Sequence, residues 1–147
     1  MLDVKNVYII ASTFYDELSN ELIKGAKDVI TPLKNDDSMI TVVKVPGAFE
    51  IPGMVNQILK NKKPNLIITL GVIIKGETNH FEQISDFVFD SISKLSLSTN
   101  SPIAFGVISA LNYKQAEERA LISKRNKGAE VAKAGLAMLE LYDKYKK

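Results

Sequence analysis

Short apolar runs alternate with longer amphipathic segments along the 147-residue chain. The apolar runs predict β-strands because they are short and rich in Val and Ile; they cover residues 7–11, 39–45, 66–74 and 103–108. The amphipathic segments place apolar residues at helical spacing and predict helices; they cover residues 16–30, 52–59, 81–95, 112–120 and 126–145. This alternation indicates a parallel sheet with helices on both faces, since each parallel crossover needs a helix.

The length suits a single domain over residues 1–147. The chain has no Cys and one His, which excludes disulfides, thiolate metal sites, a cysteine nucleophile and a His-rich metal site. The longest apolar run ends at Lys75 and is shorter than the roughly 20 residues of a membrane span. The N-terminus lacks the layout of a signal peptide, so we expect a cytoplasmic protein without a membrane partner.

Charge is distributed unevenly: residues 1–113 carry a net charge of −2 and residues 114–147 carry +4. A basic C-terminal stretch can bind an anion, or it can be a solvated helix face with surplus lysines. Nucleic acid is disfavoured as a partner, because the only aromatic residues in the basic stretch are Tyr142 and Tyr145.

Ligands of open α/β sheets bind at the carboxyl ends of the strands, which directs attention to four loops. In the first, Phe14 can stack on a planar ligand or pack on the following helix. In the second, Gly47 and Ala48 allow close approach to the backbone and Phe49 provides an apolar wall. The carboxylate of Glu50 can accept hydrogen bonds from a polyol, or it can provide negative charge at the N-terminus of the next helix.

The third loop joins the most apolar strand to a helix N-terminus, where free N–H groups favour an anion such as phosphate. Gly76 permits the turn, and the Thr78 hydroxyl adds a donor. His80 is expected in the first helical turn, where the dipole favours a neutral imidazole that can accept and return a proton. The alternative is a surface or capping histidine without a chemical role.

Two helices show capping-box-like spacing at their N-termini, Asn79 with Glu82 and Asn112 with Gln115. Near the last helix, Arg119 is followed by Lys127, a cation at a helix N-terminus. A cation there opposes the helix dipole, which suggests an anionic ligand or a carboxylate partner such as Glu130. An exposed lysine without a function is the alternative. The fingerprints of a P-loop and of a dinucleotide-binding fold are absent.

Together these segments resemble the lumazine synthase family over nearly the whole chain. The resemblance rests on Phe14 after the first strand, VPGAFEIP at 45–52, LGVIIKGETNHF at 70–81, PIAFGV at 102–107, QAEERA at 115–120 and NKGAE at 126–130.

The resemblance implies a flavodoxin-like three-layer α/β/α sandwich with a four-stranded parallel sheet, assembled as a homopentamer. It also implies condensation of 5-amino-6-(D-ribitylamino)uracil with L-3,4-dihydroxy-2-butanone 4-phosphate. The products are 6,7-dimethyl-8-ribityllumazine, phosphate and water, and the family uses no metal or redox cofactor. The partners are therefore two small molecules and further copies of the chain.

Carried over by position, the resemblance assigns the aminouracil site to residues that stack on the ring, line the site or hold the ribityl chain. These are Phe14, Ala48, Phe49, Glu50, Val72, Ile73 and Ile74. Phe14 would stack on the ring and Glu50 would accept the ribityl hydroxyls. Glu77 and Thr78 would contact the phosphate-bearing substrate, and His80 would transfer protons.

The resemblance places the remaining residues at a subunit boundary. Phe105 and Arg119 would come from the neighbouring subunit, with Arg119 on the phosphate. Lys127, paired with Glu130, would lie close by.

Three departures from the family pattern bear on these expectations. Thr13 and Tyr15 replace polar residues that many members have beside Phe14, and residues 121–125 replace a Gly-containing connection. The first strand begins almost at the N-terminus, without the extension that adds a strand to a neighbour's sheet in many members. We therefore expect a pentamer rather than a sixty-subunit capsid.

Two other functions fit the same segments. One is an archaeal-type riboflavin synthase, which would convert lumazine alone, and the other is a non-catalytic flavin- or lumazine-binding module. The loop around His80 and the segment 46–52 favour the synthase over the first alternative. The combination of His80, Arg119 and Lys127 favours it over the second, because storage of a ligand needs neither a proton carrier nor a phosphate clamp.

Overall fold

The computed structural model describes residues 2, 4–76 and 80–146. Its strands are β1 (Asn6–Ser12), β2 (Met39–Val45), β3 (Leu66–Ile74) and β4 (Ile103–Ala110). Its α-helices are α1 (Asp16–Ile30), α2 (Ile51–Asn61), α3 (Phe81–Leu97), α4 (Tyr113–Ala120) and α5 (Lys127–Tyr145), with short 3₁₀ turns at Thr31–Leu33 and Ala48–Glu50. None of the helices in these described ranges has the length and apolar character to cross a membrane.

The four strands form one parallel sheet in the order β2-β1-β3-β4. All nine residues of β3 are buried, because this strand is central and is covered on both faces. Its alternate side chains enter two separate cores, as the two-residue period of a strand requires. Ile68 contributes to the core beneath α1, α4 and α5, and Ile67 to the core beneath α2 and α3. The predicted three-layer α/β/α fold is confirmed.

The first core is the larger, because α1 and α5 pack closely together over the sheet. Gly128 of α5 lies directly against the backbone of Leu22 in α1, where a β-carbon would clash. The same helix pair meets again at Gly25, which faces the side chain of Asn126. Small residues therefore determine how close these two helices come.

One predicted cap is confirmed, and the other falls on a residue outside the described part of the chain. Asn112 caps α4, since its Oδ1 accepts a hydrogen bond from the Gln115 N–H at 2.8 Å. In α3 the N-cap residue is His80, one position after the predicted Asn79, which lies outside the described residues. Within the described residues, the carboxylate of Glu82 pairs with the Nζ of Lys75 at 3.5 Å.

Candidate active site

A crevice forms at the carboxyl edge of the sheet because β3 is longer than its neighbour. The last residue pair between β1 and β3 is Ala11 with Leu70, yet β3 continues to Ile74 beside β4. The chain turns away after β1 and β2, so the last residues of β3 form a wall with open space beside it. This is the position at which open α/β sheets bind ligands.

This space, the β3 crevice, has a volume of about 370 Å³. Its lining residues come from the loops after β1 and β2, from β3 and from α3; they are Phe14, Tyr15, Pro46, Gly47, Ala48, Phe49, Glu50, Val72, Ile73 and Ile84. Six of the predicted site residues therefore lie around one cavity: Phe14, Ala48, Phe49, Glu50, Val72 and Ile73. The volume is within the usual range for small-molecule sites.

Phe14 presents its ring at the mouth of the crevice and is 57% exposed. The ring of Tyr15 meets it edge-on, with 4.9 Å between the ring centroids. The ring of Tyr113 packs edge-on against Tyr15, with 6.2 Å between their centroids. Partial burial raises the pKa of the Tyr113 hydroxyl above its ordinary value of 10.0, and the carboxylates of Glu17 and Glu117 raise it further. Tyr113 is therefore neutral near pH 7. The exposed side of the Phe14 ring is available to stack on a planar ligand.

Phe49 forms the opposite wall and is also more than half exposed. Its ring stacks on Phe87 of α3, with 4.7 Å between centroids and 23° between the ring planes. This contact fixes the orientation of Phe49, which leaves the rest of the ring facing the crevice and solvent. An aromatic side chain held in this way stacks on a ligand with little loss of side-chain entropy.

Glu50 occupies a defined position at the end of the 3₁₀ turn. Its Oε1 accepts a hydrogen bond from the Gly47 N–H at 3.0 Å, which closes the turn before α2. Glu50 thus has a structural role in the turn before α2, although the bond is to the turn and not to the helix. A carboxylate accepts several hydrogen bonds, so this contact leaves Glu50 able to accept a hydroxyl of a bound molecule as well.

His80 is exposed and precedes α3 as its N-cap, rather than lying within the first turn as predicted. Its carbonyl accepts a hydrogen bond from the N–H of Ile84 at 2.9 Å. Ile84 lines the crevice. His80 lies four residues earlier, about 6 Å from Ile84 toward the N-terminal end of α3, given the rise of 1.5 Å per residue. The backbone of His80 is thus one helical turn from a lining residue, and His80 is not among the described residues that line the crevice.

Of the three further residues that the resemblance assigns to the site near the end of β3, only Ile74 is among the described residues, and it is not in the crevice lining. Ile74 is fully buried in the core beneath α1, α4 and α5, because its side chain points to the opposite face from that of Ile73. Glu77 and Thr78 lie outside the described residues. The turn that leads toward them contains Gly76 with a φ of +83°, which confirms the expected role of this glycine.

Arg119 and Lys127 lie around a different cavity, the β4 depression, of about 270 Å³. It is lined by Val107, Ile108, Ser109, Arg119, Arg125 and Lys127. The Nη1 of Arg119 donates to the carbonyl of Ser109 at 3.0 Å. The Nζ of Lys127 pairs with the Oε1 of Glu130 at 3.2 Å, which confirms the predicted pair.

Phe105 lies farther along β4, in a hollow of about 260 Å³ that it shares with Lys127. Its ring is 37% exposed and meets Phe89 of α3 edge-on at 5.4 Å. Within one chain, the lining of this hollow and that of the β4 depression share no residue with the β3 crevice. The predicted residues therefore form two groups on the described surface.

Sequence reasoning left several lining residues out of the candidate site. The loop pattern already marks Tyr15 as a second aromatic and Gly47 as a point of close approach, with Pro46 beside it, but sequence reasoning assigned none of the three to the site. Ile84 belongs to the apolar stripe of α3, and such a stripe is indistinguishable from an ordinary core face in sequence. Arg125 gave no signal, because its place beside Arg119 depends on the fold of the connection between α4 and α5.

Comparison with known proteins gives a consistent result. The sequence profile of the 6,7-dimethyl-8-ribityllumazine synthase family matches residues 5–143. A protein of Leuconostoc mesenteroides with that name is 39% identical over 142 residues, which are 97% of this chain and 91% of the relative.

Two further relatives carry the same name. One, from Buchnera aphidicola, is 40% identical over 138 residues, covering 93% of this chain and 87% of the relative. The other, from Limosilactobacillus reuteri, is 38% identical over 133 residues, covering 90% of this chain and 86% of the relative. The similarity therefore extends over the fold and over both cavities.

Proposed function

This chain belongs to the 6,7-dimethyl-8-ribityllumazine synthase family, and we propose that the β3 crevice is where it makes the lumazine. The reaction joins 5-amino-6-(D-ribitylamino)uracil to L-3,4-dihydroxy-2-butanone 4-phosphate and releases phosphate and water. It is the penultimate step of riboflavin biosynthesis, and we place it in the cytoplasm.

The observation that carries this proposal is the pair of exposed aromatic rings, Phe14 and Phe49, on a crevice with a carboxylate at its rim. A pyrimidine ring stacks on such side chains, and Glu50 can accept hydroxyls of the attached ribityl chain. Val72 and Ile73 supply the apolar wall for the ring. Ala48 lines the crevice from the 3₁₀ turn. We also assign Ile74 to the site, through its backbone at the end of β3.

The chemistry requires proton transfers, and His80 is the candidate that supplies them. An amine of the aminouracil attacks the carbonyl carbon of the butanone phosphate, and loss of water gives an imine. Elimination breaks the bond between carbon and phosphate oxygen, and tautomerisation of the product leaves a ketone. The second nitrogen attacks that carbonyl carbon, and loss of a second water closes the ring. Each step adds or removes a proton near neutral pH, which suits an imidazole at the edge of the crevice. Glu77 and Thr78 are assigned to the phosphate-bearing substrate by family position.

The leaving phosphate needs cations, and Arg119 and Lys127 are the candidates. They lie in the β4 depression, whose described lining shares no residue with that of the β3 crevice. A complete site then needs a second copy of the chain that brings its Arg119 and Phe105 to this crevice. Exposed Phe89 and Phe105 on one side of the molecule provide apolar area for such a contact, and we propose a homopentamer.

A two-substrate assay tests the proposed activity. The purified protein is mixed with both substrates, and lumazine absorbance is followed together with phosphate release. We expect equal amounts of lumazine and phosphate, and neither product when one substrate is omitted. Phosphate release without lumazine would contradict the proposal, and so would conversion of lumazine alone into riboflavin.

A further inference from the structure

The β4 depression contains a third cation whose role the proposed reaction leaves open. Arg125 lines the cavity together with Arg119 and Lys127. It belongs to the connection between α4 and α5, where this sequence departs from the Gly-containing pattern of the family. Arg125 is therefore a feature of this chain rather than of the family motifs.

The charge balance of the depression suits a phosphate group. Lys127 is paired with Glu130 at 3.2 Å. None of the ion pairs found in residues 4–76 and 80–146 involves Arg119 or Arg125. Three cations and one carboxylate leave a formal charge of +2 at the depression. A phosphate monoester carries about −1.5 to −2 near pH 7, so the two charges match.

The donor geometry points to the same ligand. A guanidinium has five N–H donors in a planar fork that fits two oxygens of a phosphate. The single hydrogen bond from Arg119 Nη1 to the Ser109 carbonyl orients that side chain and leaves further donors for a ligand. Arg125 adds a second fork, and the N-terminus of α5 at Lys127 adds the positive end of a helix dipole.

The connection that carries Arg125 is held in place by backbone hydrogen bonds. The Arg125 N–H donates to the Glu118 carbonyl and the Asn126 N–H donates to the Leu121 carbonyl, both at 3.1 Å. The Ile122 N–H donates to the Glu21 carboxylate on α1, also at 3.1 Å. Because the backbone is already ordered, binding an anion here requires little further ordering.

We propose that Arg125 is a substrate-binding residue that joins Arg119 and Lys127 on the phosphate of the butanone phosphate and on the inorganic phosphate released. This inference rests on the proposed function, since that substrate supplies the phosphate. It adds a second guanidinium, from the connection between α4 and α5, to the phosphate clamp that the family resemblance implies.

Kinetics of Arg125→Ala test the inference, with Lys124→Ala as the matched control. Lys124 is the neighbouring exposed cation and does not line the depression, so both variants change the net charge equally. We expect Arg125→Ala to raise KM for the butanone phosphate by about five- to tenfold, as for an exposed charge-assisted contact. The inhibition constant of inorganic phosphate should rise by the same factor, and KM for the aminouracil should not change. Arg125→Gln should behave like Arg125→Ala, and Arg125→Lys should recover part of the affinity.

Equal effects of Arg125→Ala and Lys124→Ala would overturn the inference, because only the overall charge would then matter. A titration with inorganic phosphate, followed by phosphorus NMR, gives an answer that does not depend on turnover. If the unsubstituted protein makes no lumazine but Arg125→Ala still weakens phosphate binding relative to Lys124→Ala, the proposed reaction fails and the phosphate site stands. If both variants bind phosphate like the unsubstituted protein, the phosphate site fails whatever the activity.

Discussion

At the scale of single residues, the candidate site depends on side chains that contact a neighbouring protein group and remain accessible to a ligand. Phe49 is fixed by stacking on Phe87, and Phe14 is fixed by the edge of Tyr15. Arg119 is oriented by the Ser109 carbonyl. Each of these contacts restricts the side chain before a ligand arrives, which reduces the entropic cost of binding.

His80→Ala is the first test at this scale. Loss of the imidazole should lower kcat by about 10²-fold, the lower end of what general acid–base catalysis contributes. The reaction should remain detectable, since holding two substrates together accelerates it without a proton carrier. KM for both substrates should change little, because the ring is not in the crevice lining. Steady-state kinetics with both substrates varied give these values.

Gln83→Ala is the matched control for this variant, since Gln83 is exposed in the first turn of the same helix. It should keep the rate of the unsubstituted protein. If His80→Ala also keeps that rate, His80 transfers no proton in the rate-determining part of the reaction.

At the scale of secondary-structure elements, relative strand length creates the crevice and close helix packing supports it. Because β3 extends past its last pair with β1, the otherwise buried Val72 and Ile73 border the crevice. The same strand packs against α5, whose contact with α1 depends on Gly128. The position of α5 in turn sets where Lys127 lies in the β4 depression.

Two glycine substitutions separate packing from helix propensity. Gly128→Ala should destabilise the protein by about 3 kcal/mol, because the added β-carbon meets the Leu22 backbone and the two helices must move apart. Gly53→Ala, on exposed α2 with open space around it, should instead stabilise by about 0.5 kcal/mol. Urea unfolding followed by circular dichroism measures both changes, and similar effects of the two variants would contradict the packing argument.

At the scale of the whole molecule, the proposed site is divided between two regions of one chain. The β3 crevice carries the aromatic and carboxylate side chains, and the β4 depression carries the cations. The proposal therefore requires an assembly in which the depression of one subunit faces the crevice of another. Light scattering should give a mass about five times that of the 16.3 kDa chain, and a mass near that of one chain would contradict it.

Complementation between two impaired variants tests the shared site directly. His80→Ala and Arg119→Ala chains are co-refolded in equal amounts, so that subunits mix. If Arg119 serves a neighbour's crevice, about a quarter of the sites in a mixed ring contain both intact residues. The mixture should then be more active than the average of the two pure variants. Activity equal to that average would indicate that both residues act within one chain.

Much of the fold follows from local pattern. The periods of 2 and 3.6 residues are set by backbone geometry, so the apolar spacing locates all four strands and five α-helices to within two residues. The parallel arrangement follows from their alternation, and it places the loops after β1, β2 and β3 at one edge. Phe14, Phe49 and Glu50 were accessible to sequence reasoning for that reason.

The remaining features depend on contacts between residues far apart in the chain. Ile73 lines the crevice because β3 extends beyond its pairing with β1. The side chain of Ile74 lies in the core on the opposite face of the sheet. Lys75 pairs with Glu82 across the turn before α3, which no spacing rule indicates. Arg125 reaches the β4 depression only because its connection is bonded to α1 and α4. Sequence determines which elements form and where their ends meet, whereas packing decides which side chains share a cavity, because that depends on long-range register and helix placement.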